Sequence, residues 1–182
     1  DLLATLTSDI DLSPEAFPHL TMRTGHVAGI PARVFRISFT GELSYEINVP
    51  ARYGLALWEM LIDAGAAAGI TPLGTEALHV LRAEKGFIVV GHDTDGTVTP
   101  FDLGMDWIVG KNKTDFLGKR GLARSDNARP GRRQLVGLRT DDAQTVLVEG
   151  SQVVQLADAA LIARPPVPMI GHVTSSYLSP TL

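Results

Sequence analysis

The sequence contains no cysteine, which excludes disulfide bonds, thiolate nucleophiles and thiolate-bound metals or clusters. Its five histidines are scattered and lack the spacing of a zinc site, so we expect no metal site. The nucleophile motif GxSxG and the phosphate-binding motif GxxxxGKS/T are also missing. Hydrolase, metalloenzyme and nucleotide-triphosphatase functions therefore have no motif to support them.

The sequence also lacks long apolar runs and a large excess of charge. No apolar run approaches the roughly 20 residues that cross a bilayer, and the first residues lack the basic region and cleavage site of an export peptide. The formal net charge of −4 comes from 20 acidic and 16 basic residues, which are mostly interspersed. Such a pattern gives no field that recruits nucleic acid or an anionic membrane. We expect a cytoplasmic protein with neither partner.

The remaining composition is typical of a globular fold. With 182 residues, of which 45% are hydrophobic, the chain is long enough for one core, or for one domain and part of a second. It begins without methionine in what resembles a helix and ends after a strand-like segment. We therefore expect an excised fragment.

The apolar periodicity predicts strands first and helices afterwards. Alternation over residues 22–50 predicts two antiparallel strands joined by the TGE turn at residues 40–42. Helices are then predicted over residues 51–68 and 74–85, the first ending at Gly69 and the second at Gly86. The predicted buried face of the first helix consists of Leu55, Trp58, Leu61 and Ile62. Paired strands followed by helices indicate an α+β fold rather than a parallel α/β fold.

The second half of the chain differs in composition. A stretch rich in glycine, proline and aspartate at residues 91–104 predicts a loop. Short strand candidates then predict a small, incomplete β-barrel-like domain. These candidates are residues 134–140, 146–148, 151–156 and 169–175. We therefore assign residues 1–118 to the main domain and residues 119–182 to a linker and a truncated C-terminal β-domain.

Glu46 is the first candidate for binding a ligand. Alternation over residues 43–49 places Glu46 on the polar face with Ser44 and Asn48, which by itself predicts exposure to solvent. A carboxylate on a sheet face also accepts two parallel hydrogen bonds from an amidine-like donor pair, such as the N–H and NH₂ edge of a pterin ring. The residues alone leave both interpretations open.

The second predicted helix carries two further charged candidates. At about 100° per residue, the predicted buried arc consists of Leu73, Ala77, Leu78, Val80 and Leu81. Glu84 falls inside this arc, and Arg82 lies at its border. Because an unpaired buried charge is costly, Glu84 indicates either a structural ion pair or a contact to a ligand. Arg82 is placed either to reach a polar ligand or to extend into water.

Four segments together resemble the aminomethyltransferase family, which includes the glycine cleavage T-protein. They are FTGELSYEINVP, GITPLGTEALHVLRAEKG, GHDTDGTVTPFDLGMDWIVGKNKTDFLGKRGLA and IGHVTSSYLSPTL. They occur in the order and with the spacing of the family, and they cover most of residues 20–182. Their sequences most resemble the branch of the family found in the alpha subunits of heterotetrameric sarcosine oxidases.

The resemblance implies an antiparallel sheet with helices on one face and a folate site. In the family, the glutamate at the position of Glu46 binds the pterin, and the arginine at the position of Arg82 contacts the folate. Phe39 occupies a position that is often tyrosine, so stacking is kept while a hydroxyl hydrogen bond is lost. Trp107 matches a tryptophan near the folate. Tyr45 is a further neighbour, although alternation points it to the face opposite Glu46.

The resemblance also implies a reaction and partners. Sarcosine is oxidised at a flavin elsewhere in such a complex, and tetrahydrofolate takes up the one-carbon unit as 5,10-methylenetetrahydrofolate. FAD, FMN and NAD are implied elsewhere in the complex, as are beta, gamma and delta subunits. The family's catalytic aspartate is expected upstream, so we expect no catalytic residue here and no activity of the fragment alone. The alternatives are a glycine cleavage T-protein, a dimethylglycine-oxidising relative, or a subunit-packing module of the same fold.

Overall fold

The computed structural model describes residues 2–182, and the chain divides into two compact units, residues 1–87 and residues 88–182. Helices and antiparallel strands occur together along the chain, which confirms the predicted α+β class. Within residues 2–182, no helix has both the length and the apolar character that crossing a membrane requires.

A three-stranded antiparallel sheet forms the first part of unit one. Its strands are β1 (Thr21–Val27), β2 (Ile30–Arg36) and β3 (Glu46–Asn48), in the order β1-β2-β3. Strands β1 and β2 form a tight hairpin around Ala28 and Gly29, which both have positive φ angles. The prediction of two strands was incomplete, because the turn signal at residues 28–29 was overlooked, and β3 is shorter than predicted.

The inner face of this sheet holds the core of unit one. Alternate residues of each strand point inward, so the residues between them form the outer face. Phe17, Val27 and Val34 are fully buried, and burial of such a side chain stabilises a fold by roughly 1.5–3 kcal/mol. The buried hydrophobic residues are Leu3, Ile10, Phe17, Val27, Ile30, Ala32, Val34 and Leu57.

Two helices follow the sheet, as predicted. They are α1 (Gly54–Gly65) and α2 (Thr75–Lys85). Gly69 and Gly86 end the two helical segments in the left-handed conformation, which glycine adopts at little steric cost. Short 3₁₀ helices in unit one are Leu2–Thr5, Ala51–Tyr53 and Ala66–Ala68.

The buried face of α1 differs from the predicted one. Leu57 and Gly65 are buried, and Leu61 packs against the core, so the inward stripe repeats every four residues. Leu55 and Trp58 are 70% and 53% exposed, so the prediction that they are buried was wrong. The helix is apolar on more than one side, and composition alone could not select the side that packs against the core.

Unit two contains short elements joined by irregular chain. The α-helices are α3 (Lys119–Leu122) and α4 (Ser125–Ala128), and β4 (Gln152–Val153) pairs antiparallel with β5 (Gly171–His172). The 3₁₀ helices are Pro100–Leu103, Asp106–Ile108 and Leu156–Ala163.

The strand predictions in unit two were only partly right. Strands occur inside the candidates 151–156 and 169–175, but residues 134–140 and 146–148 form none. A strand requires a neighbouring strand that exchanges ladder hydrogen bonds with it. The Leu135 amide instead donates to the carbonyl of Asp102. The structure divides the chain after residue 87. The predicted domain limits, 1–118 and 119–182, stay predictions, as does the barrel-like second domain.

Candidate ligand-binding site

Glu46 lies on the outer face of the β1-β2-β3 sheet. The strand register pairs Phe35 with Glu46 and Arg33 with Asn48, so these four side chains share that face. Glu46, Arg33 and Asn48 are exposed, whereas Phe35 is half-buried. The exposure of Glu46 and Asn48 confirms the face that alternation predicted for them. Sequence analysis missed Phe35 and Arg33 as neighbours of Glu46, although the strand pairing itself implies them.

The carboxylate of Glu46 is available to a ligand. Within residues 2–182 it makes no hydrogen bond and no ion pair. Phe35 lies directly across the strand pair from Glu46, at a Cα separation of about 4.5–5.5 Å, and its side chain is on the same face of the sheet. A carboxylate beside an aromatic ring suits a flat heterocycle, because the ring face stacks while an amidine edge donates hydrogen bonds.

The TGE turn before Glu46 lies against the end of α2. Gly41 has a φ of 85°, and its amide donates to Ser38 Oγ at 2.8 Å. A Cβ atom added to Gly41 would lie 2.4 Å from Cδ of Lys85, so the lysine stem covers the turn. Because Lys85 is the last residue of α2, the structure brings the TGE turn close to the helix that carries Arg82.

Arg82 is more deeply buried than predicted. Its side chain is 3% exposed, and Arg82 is the only buried residue among the described residues of α2. Nη1 donates to the carbonyl of Phe87 at 3.1 Å, while the Phe87 amide donates to the carbonyl of Arg82 at 2.9 Å. The alternative that Arg82 extends into water was therefore wrong, because the chain that follows Gly86 folds back over the guanidinium.

Glu84 and the apolar arc of α2 also differ from the expectation. Glu84 is half-buried and has an interaction partner. Leu78 and Leu81 are half-buried rather than buried, and Leu73 is 59% exposed. Periodicity gave the correct helix but overestimated the burial of its apolar side. The role of Arg82 toward a folate stays a prediction.

The two predicted aromatic neighbours in unit one have different surroundings. Phe39 is 37% exposed and precedes the TGE turn, so its ring is accessible for stacking. Tyr45 is half-buried and packs against the core, with its ring centroid 5.9 Å from that of Phe17. Tyr45 therefore faces away from Glu46, as alternation predicted, and a direct role toward a folate stays a prediction.

Trp107 lies in unit two, in the 3₁₀ helix Asp106–Ile108, and is 66% exposed. The preceding 3₁₀ helix, Pro100–Leu103, is fixed by a capping box in which Thr99 and Asp102 exchange hydrogen bonds. Gly104 then turns the chain in the left-handed conformation into the tryptophan segment. The role of Trp107 near a folate stays a prediction.

A buried ion pair between Asp102 and Arg132 connects the 3₁₀ helix Pro100–Leu103 to the segment around residue 132. Sequence analysis did not predict this pair. Arg132 Nε and Nη2 donate to the two carboxylate oxygens of Asp102 at 2.8 and 2.7 Å, and Nη2 also donates to the carbonyl of Thr97. The side chains of Asp102 and Arg132 are 6% and 13% exposed. The guanidinium holds the pKa of Asp102 well below its usual range, against the opposing effect of burial. No local motif links two residues 30 positions apart.

A second buried carboxylate joins the loop at residues 91–95 to the end of the chain. Asp93 accepts hydrogen bonds from the Val89 amide at 2.9 Å and from Thr174 Oγ1 at 2.6 Å, and it also contacts Ser175 Oγ. The sequence predicted only a turn at this place. These contacts indicate a structural role, because hydroxyl and amide donors surround the carboxylate.

A broad groove runs over the outer face of the sheet. Its volume is about 850 Å³, and its lining includes Thr24, His26, Arg33, Asn48 and Pro50. His26 Nδ1 lies 2.8 Å from Asp9 Oδ2, and this hydrogen bond is the main cause that lowers the pKa of Asp9 to about 2. Within residues 2–182, no three His, Asp or Glu side chains gather closely enough to hold a metal ion.

The mixture of helices and antiparallel strands agrees with the sequence comparison. The chain belongs to the GCVT N-terminal domain family, whose model matches residues 1–113. The resemblance to the aminomethyltransferase family noted from the four segments is thereby confirmed.

Three relatives with different names are similar in sequence to this chain. Over its full length the chain is 50% identical to the sarcosine oxidase subunit alpha of Corynebacterium sp. (strain P-1), of which it covers 19%. It is 35% identical to an aminomethyltransferase of Streptomyces coelicolor, of which it covers 46%. Over 78% of its length it is 38% identical to the mitochondrial dimethylglycine dehydrogenase of Rattus norvegicus. The chain thus spans less than half the length of each of these three relatives.

Proposed function

We propose that this chain is the tetrahydrofolate-binding part of an alpha subunit of the sarcosine oxidase type. In this proposal, tetrahydrofolate accepts the one-carbon unit released by sarcosine oxidation and leaves as 5,10-methylenetetrahydrofolate. The 50% identity to a protein named sarcosine oxidase subunit alpha supports the choice of substrate and of a multi-subunit complex. FAD, FMN and NAD sites and the beta, gamma and delta subunits would belong to other parts of that complex.

The observation that carries the proposal is the free carboxylate of Glu46 beside the ring of Phe35. A pterin presents an N–H and an NH₂ group side by side, and a carboxylate accepts both in parallel. The unpaired state of Glu46 within residues 2–182 leaves its oxygens ready for such donors. The accessible ring of Phe39 offers a second stacking surface near the TGE turn. These residues fit the pterin end of a folate.

The remaining predicted residues act at different levels. Arg82, with its guanidinium on the Phe87 carbonyl, would hold the chain that follows Gly86 against the end of α2. A role for Trp107 as a folate neighbour remains part of the proposal. The chain's contribution to the reaction would be to hold the folate in place, which raises the rate by proximity.

Titration with an oxidation-resistant tetrahydrofolate analogue tests the proposal. Replacing Glu46 by glutamine removes the charge from two charge-assisted hydrogen bonds, each contributing about 1.5–3 kcal/mol, so the dissociation constant should rise by about tenfold or more. Glu59→Gln, an exposed glutamate on α1, is the matched control and should bind like the wild type. Equal affinities for all three proteins would overturn the assigned role of Glu46.

A structural subunit-packing module is the second candidate, and the burial of Arg82 favours it. An arginine that serves the fold alone would stabilise the end of α2 without affecting any ligand. In that case Arg82→Ala would lower the unfolding free energy, while folate-dependent product formation by the intact complex, measured below the unfolding transition, would stay unchanged. A parallel loss of folate affinity would exclude this candidate.

A further inference from the structure

The groove on the outer sheet face lies next to the position of Glu46 along the strands, and its lining includes neither Glu46 nor Phe35. Arg33 and Asn48 form the next outward-facing pair after Phe35 and Glu46, about 7 Å further along β2 and β3. Both residues of that next pair line the groove of about 850 Å³. A volume of this size is typical of sites for small organic ligands.

Arg33 provides the positive charge of this groove. Among the described residues that line it, Arg33 is the only lysine or arginine. Its exposed guanidinium makes no hydrogen bond or ion pair within residues 2–182, and the diagonal Glu46 is not paired with it. His26, the other basic residue of the groove, is already hydrogen-bonded to Asp9. The sheet face therefore presents a free anion in one pair and a free cation in the next.

We propose that Arg33 binds the γ-linked glutamate tail of the folate, while Glu46 binds its pterin. The inference rests on the proposed folate function and adds the subsite that the tail occupies. A folate has the same polarity as the sheet face, since its pterin edge donates hydrogen bonds and its glutamate tail carries carboxylates. A guanidinium fork binds a carboxylate through two parallel hydrogen bonds, and Asn48 beside it offers an amide donor for the same group.

The test compares ligands with and without the tail. Isothermal titration would use a tetrahydropterin that lacks the tail and a tetrahydrofolate analogue with one or with several γ-linked glutamates. For the wild type, affinity should rise with the number of glutamates, and this gain should shrink as salt is added. Arg33→Gln should weaken binding of the tailed ligands by about tenfold and leave the tetrahydropterin unaffected.

Matched variants separate this inference from the proposed function. Arg52→Gln removes another exposed arginine, whose guanidinium lies over the ring of Tyr53 at 4.7 Å, and should bind all ligands like the wild type. Glu46→Gln should weaken every ligand, including the tetrahydropterin. If Arg33→Gln binds the tailed ligands as tightly as the wild type, the tail subsite is wrong while the pterin site stands. If the wild type binds neither ligand, the proposed function falls and the subsite falls with it.

Discussion

The buried pair of Asp102 and Arg132 gives the sharpest prediction about stability in unit two. Asp102 accepts four hydrogen bonds, two from Arg132 and two from Thr99, and its side chain is 6% exposed. Asp102→Asn keeps the size of the side chain but removes the buried counter-charge of the guanidinium, which keeps only the exposed Asp126. Removal of one partner from a buried ion pair costs about 3–5 kcal/mol. Because asparagine keeps the Thr99 contacts, we expect the lower end, about 3 kcal/mol.

The matched control uses the second carboxylate that contacts the same guanidinium. Asp126 Oδ2 lies 3.1 Å from Nη1 of Arg132 but is 73% exposed. An exposed ion pair contributes about 0–1 kcal/mol, so Asp126→Asn should change stability little. Urea titration followed by circular dichroism measures both variants. A slope equal to that of the wild type would show that unfolding exposes the same amount of surface in the variant and in the wild type. Equal losses for the two variants would refute the argument from burial.

The same pair predicts a dependence on pH. Since the pKa of Asp102 is depressed in the folded state, its contribution is fully present above the ordinary value of 3.8 and is lost as the pH falls below that value toward the folded pKa. The stability difference between the wild type and Asp102→Asn should therefore be constant near neutral pH and shrink below about pH 4. A difference that grows on acidification would contradict the assigned cause.

Two further predictions concern the core of unit one. Gly25→Ala should destabilise the fold by about 1–3 kcal/mol, because the added Cβ would lie 2.5 Å from the side chain of Ile10. Gly54→Ala should not destabilise it, because the space around Gly54 is open. Thermal unfolding compares the two variants. Leu57→Ala should cost about 2–5 kcal/mol and Leu55→Ala less than about 0.5 kcal/mol, because they are 5% and 70% exposed. Urea midpoints in the reverse order would show that the buried stripe of α1 is misassigned.

Local signals predicted the two helices of unit one and the exposed face of β3. Strand alternation placed Glu46 on an exposed face, and Gly69 and Gly86 marked the ends of the two helical segments correctly. The stripe of α1 that packs inward was not predictable, because Leu55 and Trp58 are as apolar as Leu57. That choice depends on a core assembled from several elements, and no local pattern describes it.

The burial of charges required the tertiary structure. Arg82 lay at the border of the predicted arc, but the chain after Gly86 folds back and covers it. Asp102 and Arg132 are 30 residues apart and belong to no recognisable motif. The placement of Arg33 near Glu46 depends on the register of β2 and β3. Strand alternation predicts it only when the hairpin at residues 28–29 is included.

A crystal structure of the intact protein with bound tetrahydrofolate tests the central claim most directly. The account predicts that the N–H and NH₂ edge of the pterin lies within hydrogen-bonding distance of both carboxylate oxygens of Glu46, about 2.7–2.9 Å, with the glutamate tail directed toward Arg33. A pterin bound elsewhere, with Glu46 left in contact with solvent, would contradict it.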